Sequence, residues 1–130
     1  MIIVFDIDGT LADISHREFL VADREHAHWD EFFSDELIYK DRVIPGALDG
    51  YTLLYEMADK VYLLSSRPES SFQATVRWLT ENGFNVPKIL GGVILRPDEW
   101  RMPSHEFKKL VMESVILPEN DPNEKYIFID

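Results

Sequence analysis

A chain of 130 residues has room for one core-forming domain and excludes two ordinary ones. Its 24 acidic and 13 basic residues leave a net charge of −11, which argues against broad electrostatic binding to duplex nucleic acid. Cysteine is absent, which excludes disulfides and thiolate metal sites and fits a cytoplasmic location. No apolar stretch reaches the roughly 18 residues of a membrane-spanning helix.

Ile2, Ile3, Val4 and Phe5 form a continuous β-branched and aromatic run, as expected of a strand buried on both faces. The run stops at Asp6-Ile7-Asp8-Gly9-Thr10, where Gly9 permits a bend. Two carboxylates this close repel each other, so a metal ion or a shared proton is the expected resolution. From Ile14 to Lys40 the spacing predicts two helices, with Phe19, Leu20, Trp29, Phe32, Phe33, Leu37 and Ile38 as their buried stripes. Arg42-Val43-Ile44-Pro45-Gly46 breaks this pattern, and Leu48, Tyr51, Leu54, Tyr55 and Ala58 predict a further helix.

A second apolar run, Val61-Tyr62-Leu63-Leu64, ends in Ser65-Ser66-Arg67-Pro68. Ser70 to Asn82 carries Phe72, Val76, Trp78 and Leu79 at helical spacing, with Gly83 as a stop residue. Lys88 to Leu95 predicts one or two short strands around Gly91-Gly92. Ser104 is placed to cap a helix bearing Phe107, Leu110, Val111 and Val115. Tyr126-Ile127-Phe128-Ile129-Asp130 repeats the opening design, an apolar strand ending in aspartate. Strands alternating with helices predict an α/β fold, a parallel sheet with helices on both faces. Ligands bind such sheets beyond the carboxyl ends of the strands. Asp6, Ser65 and Asp130 are therefore expected to converge on one edge.

These residues resemble the haloacid dehalogenase-like (HAD) phosphohydrolases. Asp6-Ile7-Asp8-Gly9-Thr10-Leu11-Ala12 is similar to the family's first motif, Ser65 at a strand end to the second, Lys108 on a later helix to the third, and Asp130 to the start of the fourth. The resemblance covers essentially the whole chain. It implies a single three-layer, Rossmann-like domain with a small helical insert over about residues 14–44 and no large cap. It also implies a phosphatase acting through an aspartyl-phosphate. The chemistry of the residues agrees. Asp6 can attack phosphorus, and Asp8 can protonate the leaving oxygen and then activate water. Ser65 can donate a hydrogen bond to the phosphoryl group, and Lys108 can balance charge. A Mg2+ ion suits the oxygen donors of Asp6, the Asp8 carbonyl and Asp130. The turn supplies backbone N–H groups, including that of Ile7, to cradle phosphoryl oxygens. Thr10 is a further contact there, and it either orients Asp8 or satisfies the backbone of the turn. Lys109 stands beside Lys108, and only one of them can point inward.

A closer resemblance is to phage-type HAD proteins related to the phosphatase half of bacteriophage polynucleotide kinase-phosphatase, which removes 3′-phosphates from nucleic-acid ends. It rests on Arg17, Trp29-Asp30-x-Phe32-Phe33, Leu64-Ser65-Ser66-Arg67 and Leu95-Arg96-Pro97. Arg17, Ser66, Arg67 and Arg96 are thereby candidates for holding a phosphorylated nucleotide or nucleic-acid end. His16, His26, His28 and His105 show no metal-site pattern and read as surface or capping residues. Two departures stand out: Ser104 replaces an aspartate four residues before the lysine, and the fourth motif stops at Asp130 without its usual second acid. A truncated chain or an incomplete metal site would follow from the latter. No P-loop sequence is present, so kinase activity is not expected. The alternatives are a 5′-nucleotidase-like phosphatase of small phosphomonoesters and a non-catalytic module that binds a phosphate end or a protein partner.

Overall fold

The computed structural model describes residues 1–130. The strands are β1 (Ile2–Phe5), β2 (Ala12–Asp13), β3 (Arg42–Val43), β4 (Lys60–Pro68), β5 (Val93–Arg96) and β6 (Tyr126–Ile129). Four of them form a parallel sheet in the order β5-β4-β1-β6, and β2 and β3 pair as a short antiparallel ribbon. The helices are α1 (Trp29–Phe32), α2 (Asp35–Ile38), α3 (Ala47–Met57), α4 (Phe72–Glu81), α5 (Ser104–Val111) and α6 (Leu117–Glu119). None of them is long and apolar enough to cross a membrane.

The period of a strand sorts side chains to opposite faces, and this sheet uses both. Ile3, Phe5, Val61 and Leu63 pack against Tyr51 of α3 and against Trp78 and Leu79 of α4. Ile2, Val4, Tyr62 and Leu64 pack against Phe107 and Val111 of α5 and against Ile116. The result is the three-layer α/β architecture: α3 and α4 on one side, α5 on the other. Gly83 ends the α4 segment with φ +87°, a left-handed turn that glycine enters at little steric cost.

Three expectations change. Residues 14–40 do not form two regular helices but two 3-10 segments, Ser15–Val21 and Arg24–His26, followed by the one-turn helices α1 and α2. Of the apolar residues assigned to that core, Leu20, Phe32 and Ile38 are buried, whereas Phe19 is 73% and Trp29 51% exposed. Short 3-10 turns repeat every three residues, so no single apolar stripe survives along them. Ser104 is the first residue of α5, after Pro103, and its side chain makes no capping bond. Beyond α5, a π-helical stretch, Met112–Ile116, moves the buried phase by one position, so Ile116 enters the core and Val115 stays partly exposed. Between Lys88 and Leu95 one strand forms, beginning at Val93, within the one or two expected there.

The revised core is testable by urea denaturation. Trp78→Ala is expected to cost about 3–5 kcal/mol, since it empties a fully buried site and removes the indole bond to the Asp41 carbonyl. Trp29→Ala should stay within roughly 0.5 kcal/mol of the parent.

Candidate active site

The sheet register brings distant polar residues to one edge. Phe5 pairs with Leu63 on one side and Ile129 on the other, so Asp6 leaves β1 next to the ends of β4 and β6. The Asp6 backbone N–H donates to the Ile129 carbonyl at 2.9 Å, which holds Asp6 beside Asp130. Lys108 Nζ lies 2.7 Å from Asp6 Oδ2, and Asp6 Oδ1 accepts the Ile7 N–H at 2.7 Å. The phase of α5 therefore turns Lys108 inward and leaves Lys109 exposed.

Burial pushes the Asp6 carboxyl above the usual aspartate range. Lys108 and the Ile7 N–H oppose that shift, and the neighbouring Asp130 carboxyl adds to it. Two adjacent carboxylates and the Asp8 carbonyl offer oxygen donors suited to Mg2+, which retains several waters when it binds. No group of three or more acidic, histidine or cysteine side chains gathers at this edge or elsewhere, so the side chains at hand for a cation here are the Asp6 and Asp130 carboxylates.

The turn after Asp6 is tight. The Ile7 carbonyl accepts from the N–H groups of Thr10, Leu11 and Ala12 at 3.2, 2.8 and 3.0 Å. Gly9, with φ +77°, donates to the Ala12 carbonyl. One expectation, the Ile7 N–H as a phosphoryl contact, is corrected here. The Ile7 side chain is core, and its N–H is already taken by Asp6. Thr10 is half-buried, and its N–H closes the turn.

A larger correction concerns the arginines. Arg17 and Arg67 are fully buried, and their guanidinium groups are committed to carboxylates of the protein. Arg67 donates from Nε (3.0 Å) and Nη2 (2.6 Å) to Asp8 Oδ1, and from Nη1 to Thr75 Oγ1 at 3.0 Å. Arg17 donates from Nε and Nη2 to the two oxygens of Asp41, both at 2.9 Å, and from Nη1 to the Phe32 carbonyl at 2.8 Å. Arg67 Nη2 also reaches Asp41 Oδ2 at 3.2 Å, and Arg17 Nη2 stands 3.6 Å from Asp8 Oδ1. These arginines position Asp8 from below instead of facing open solvent where a substrate would arrive.

Asp41, absent from the sequence reading, is the hub of this network. Its side chain is fully buried, and His16 Nε2 lies 2.7 Å from its Oδ1, so His16 is no free surface residue. The usable signal was indirect: two arginines beside apolar runs, each needing a carboxylate if buried. His26, by contrast, pairs with Asp23 at the surface.

Ser65 is buried, and its Oγ accepts the Arg67 N–H at 3.1 Å, which leaves its own O–H free to donate. Ser66 Oγ is hydrogen-bonded to Ser104 Oγ, so the serine that replaces an aspartate before Lys108 meets the residue that follows Ser65. Arg96 ends β5, half-buried, with Nε lacking a partner.

A class C acid phosphatase from Bacillus anthracis, in a crystal structure with tungstate bound, superposes on this chain with a TM-score of 0.60 at 20% identity. The two chains share a fold. A second structure of class C acid phosphatase from Bacillus anthracis gives a TM-score of 0.59 at 21% identity. Each match covers 86% of this chain and 46% of the other, so this chain spans less than half the length of the proteins it matches. No protein-family model and no curated protein matches the sequence.

Two measurements test the site's electrostatics. Asp41→Ala strands two buried guanidinium groups and is expected to cost about 3–5 kcal/mol in urea denaturation. A carboxyl whose folded pKa is raised stabilises fully below its unfolded value, and that stability is lost as pH rises through the folded pKa. Asp6 titrates this way, so in metal-chelated buffer the melting advantage of Asp6→Asn over the parent should grow from acid toward neutral pH. A constant difference across that range would show that Asp6 is not raised.

Proposed function

We propose that the chain is a Mg2+-dependent HAD-type phosphatase that hydrolyses the phosphomonoester of a nucleotide or of a nucleic-acid 3′ end through an aspartyl-phosphate. The observation that carries this reading is the Lys108–Asp6 contact at 2.7 Å, with Asp8 held by Arg67 at the same sheet edge. The similarity to acid phosphatases of the same fold supports the reaction class, and bound tungstate in one of them marks an oxyanion site in that protein. The sequence resemblance to the polynucleotide phosphatases supports the nucleic-acid end. The net charge of −11 favours a small nucleotide over a long duplex.

In this mechanism an Asp6 carboxylate oxygen attacks phosphorus, and the bond to the leaving oxygen breaks. Asp8 supplies the proton that the departing alkoxide needs. Water then attacks the phosphorus of the aspartyl-phosphate, Asp8 takes its proton, and the Asp6 carboxylate is regenerated with release of inorganic phosphate. Arg67 occupies Oδ1 of Asp8 twice, so Oδ2 is the oxygen left to carry the proton. Lys108 neutralises charge on Asp6 and on the phosphoryl oxygens, and Ser65 donates its free O–H to them. When bound at Asp6, Asp130 and the Asp8 carbonyl, Mg2+ supplies further positive charge to the phosphoryl group.

Turnover of p-nitrophenyl phosphate with Mg2+ provides the test. Asp6→Asn should lower kcat by about three orders of magnitude or more. Lys108→Ala should lose about two to three, while Lys109→Ala stays near the parent. Equal effects of the two lysine substitutions, or full activity of Asp6→Asn, would refute the assignment.

A further inference from the structure

Arg96 ends β5 in a state that no group of the protein completes. Its Nε is buried without a hydrogen-bond partner, whereas Arg17, Arg67 and Arg77 each reach a carboxylate. In a chain with 24 acidic and 13 basic residues, a half-buried arginine that finds no acid is the exception. Leaving such a donor unpaired is unfavourable. Pro97 holds the backbone of residue 96 extended, which sets the direction in which the side chain leaves the strand.

That direction is toward the side of the sheet that carries the site. Ile94 packs in the cluster of Val4, Leu64 and Phe107, and residues two apart on a strand share a face, so Arg96 lies on the α5 side. Its register partner is Pro68, at the end of β4. On the same side, Ser66 and Ser104 hydrogen-bond across the gap between β4 and α5, and Lys108, one turn beyond Ser104, reaches Asp6. A serine–serine bond consumes one of two hydroxyl protons, so the pair retains one to donate. β5 is two strands away from β1, about 10 Å between strand axes. Arg96 and the hydroxyl pair therefore flank the Asp6–Lys108 contact without forming part of it.

We infer that Arg96, with the Ser66–Ser104 pair, forms a second anion subsite that takes a substrate phosphate other than the one transferred. The inference rests on the phosphatase reading above and deepens it. The favoured substrate is a nucleotide that carries a 5′-phosphate or phosphodiester as well as its scissile 3′-phosphate. The guanidinium Nε–H and one Nη–H meet two oxygens of that second group, a planar fork that suits phosphate geometry.

Adenosine 3′-monophosphate and adenosine 3′,5′-bisphosphate differ only by the second phosphate, and their relative kcat/KM reads the subsite directly. The parent should prefer the bisphosphate by at least about tenfold, the worth of one charge-assisted hydrogen bond. Arg96→Ala should bring the ratio close to one, mainly through KM. Ser104→Asp, which sets a carboxylate beside the subsite, should lower the ratio too. An oligonucleotide 3′-phosphate distinguishes a phosphodiester from a terminal 5′-phosphate as the second group. The urea midpoint of Arg96→Ala should not fall, because the side chain has no partner to lose. A parent that hydrolyses both adenosine substrates without preference overturns the subsite and leaves the phosphatase reading standing. Equal losses on both substrates in Arg96→Ala would assign Arg96 to the transferred phosphate and also overturn the subsite. A parent that hydrolyses neither overturns both proposals.

Discussion

Asp41 carries two guanidinium groups on one buried carboxylate, and the geometry of the site depends on that arrangement. A lone charge in an apolar interior is very costly, but here Arg17 and Arg67 share Asp41, and Arg67 passes on to Asp8. The two arginines and two aspartates balance formally. Each guanidinium also satisfies a donor outside the ion pairs, on the Phe32 carbonyl or Thr75 Oγ1. A buried network of this kind adds little stability compared with an apolar core, yet it fixes where each member lies. What it fixes is Oδ1 of Asp8.

The network also ties the segment between β2 and β3 to the sheet. Arg17 comes from the first 3-10 turn, Phe32 from α1 and Asp41 from the residue before β3, whereas Arg67 is the next-to-last residue of β4 and Thr75 lies in α4. Trp78 adds an indole bond to the Asp41 carbonyl. The segment has little apolar core of its own, with Phe19 and Trp29 exposed, so charge pairing and the Arg17–Phe32 stack at 4.5 Å compensate. The same pairing removes Arg17 and Arg67 from the reach of a substrate. Lys108, by contrast, reaches Asp6 at the sheet edge, and half-buried Arg96 keeps its Nε without a partner.

Much of the layout was legible in the sequence because it rests on short-range rules. The runs Ile2–Phe5 and Tyr126–Ile129 read as strands ending in acid, and parallel pairing to either side of Phe5 then brings Asp6 next to Asp130. The α4 segment and its Gly83 stop follow from helical spacing and a positive φ. The helices expected between Ile14 and Lys40 failed for a related reason. Their apolar residues have helical spacing, but the chain there winds in 3-10 turns that spacing alone does not reveal.

The sequence by itself determined the order of elements, the strand-end carboxylates and the choice of residue types able to transfer a phosphoryl group. Tertiary structure alone decided which charges are free. Arg17, Arg67 and Arg96 look alike as arginines beside apolar residues, yet the first two meet Asp41 and Asp8 while the third meets no acid. Asp41 stands between two basic residues, Lys40 and Arg42, yet its side chain is buried against the distant guanidiniums of Arg17 and Arg67. Composition records a charge, whereas its partner and its access to solvent depend on residues distant in sequence that only folding brings together.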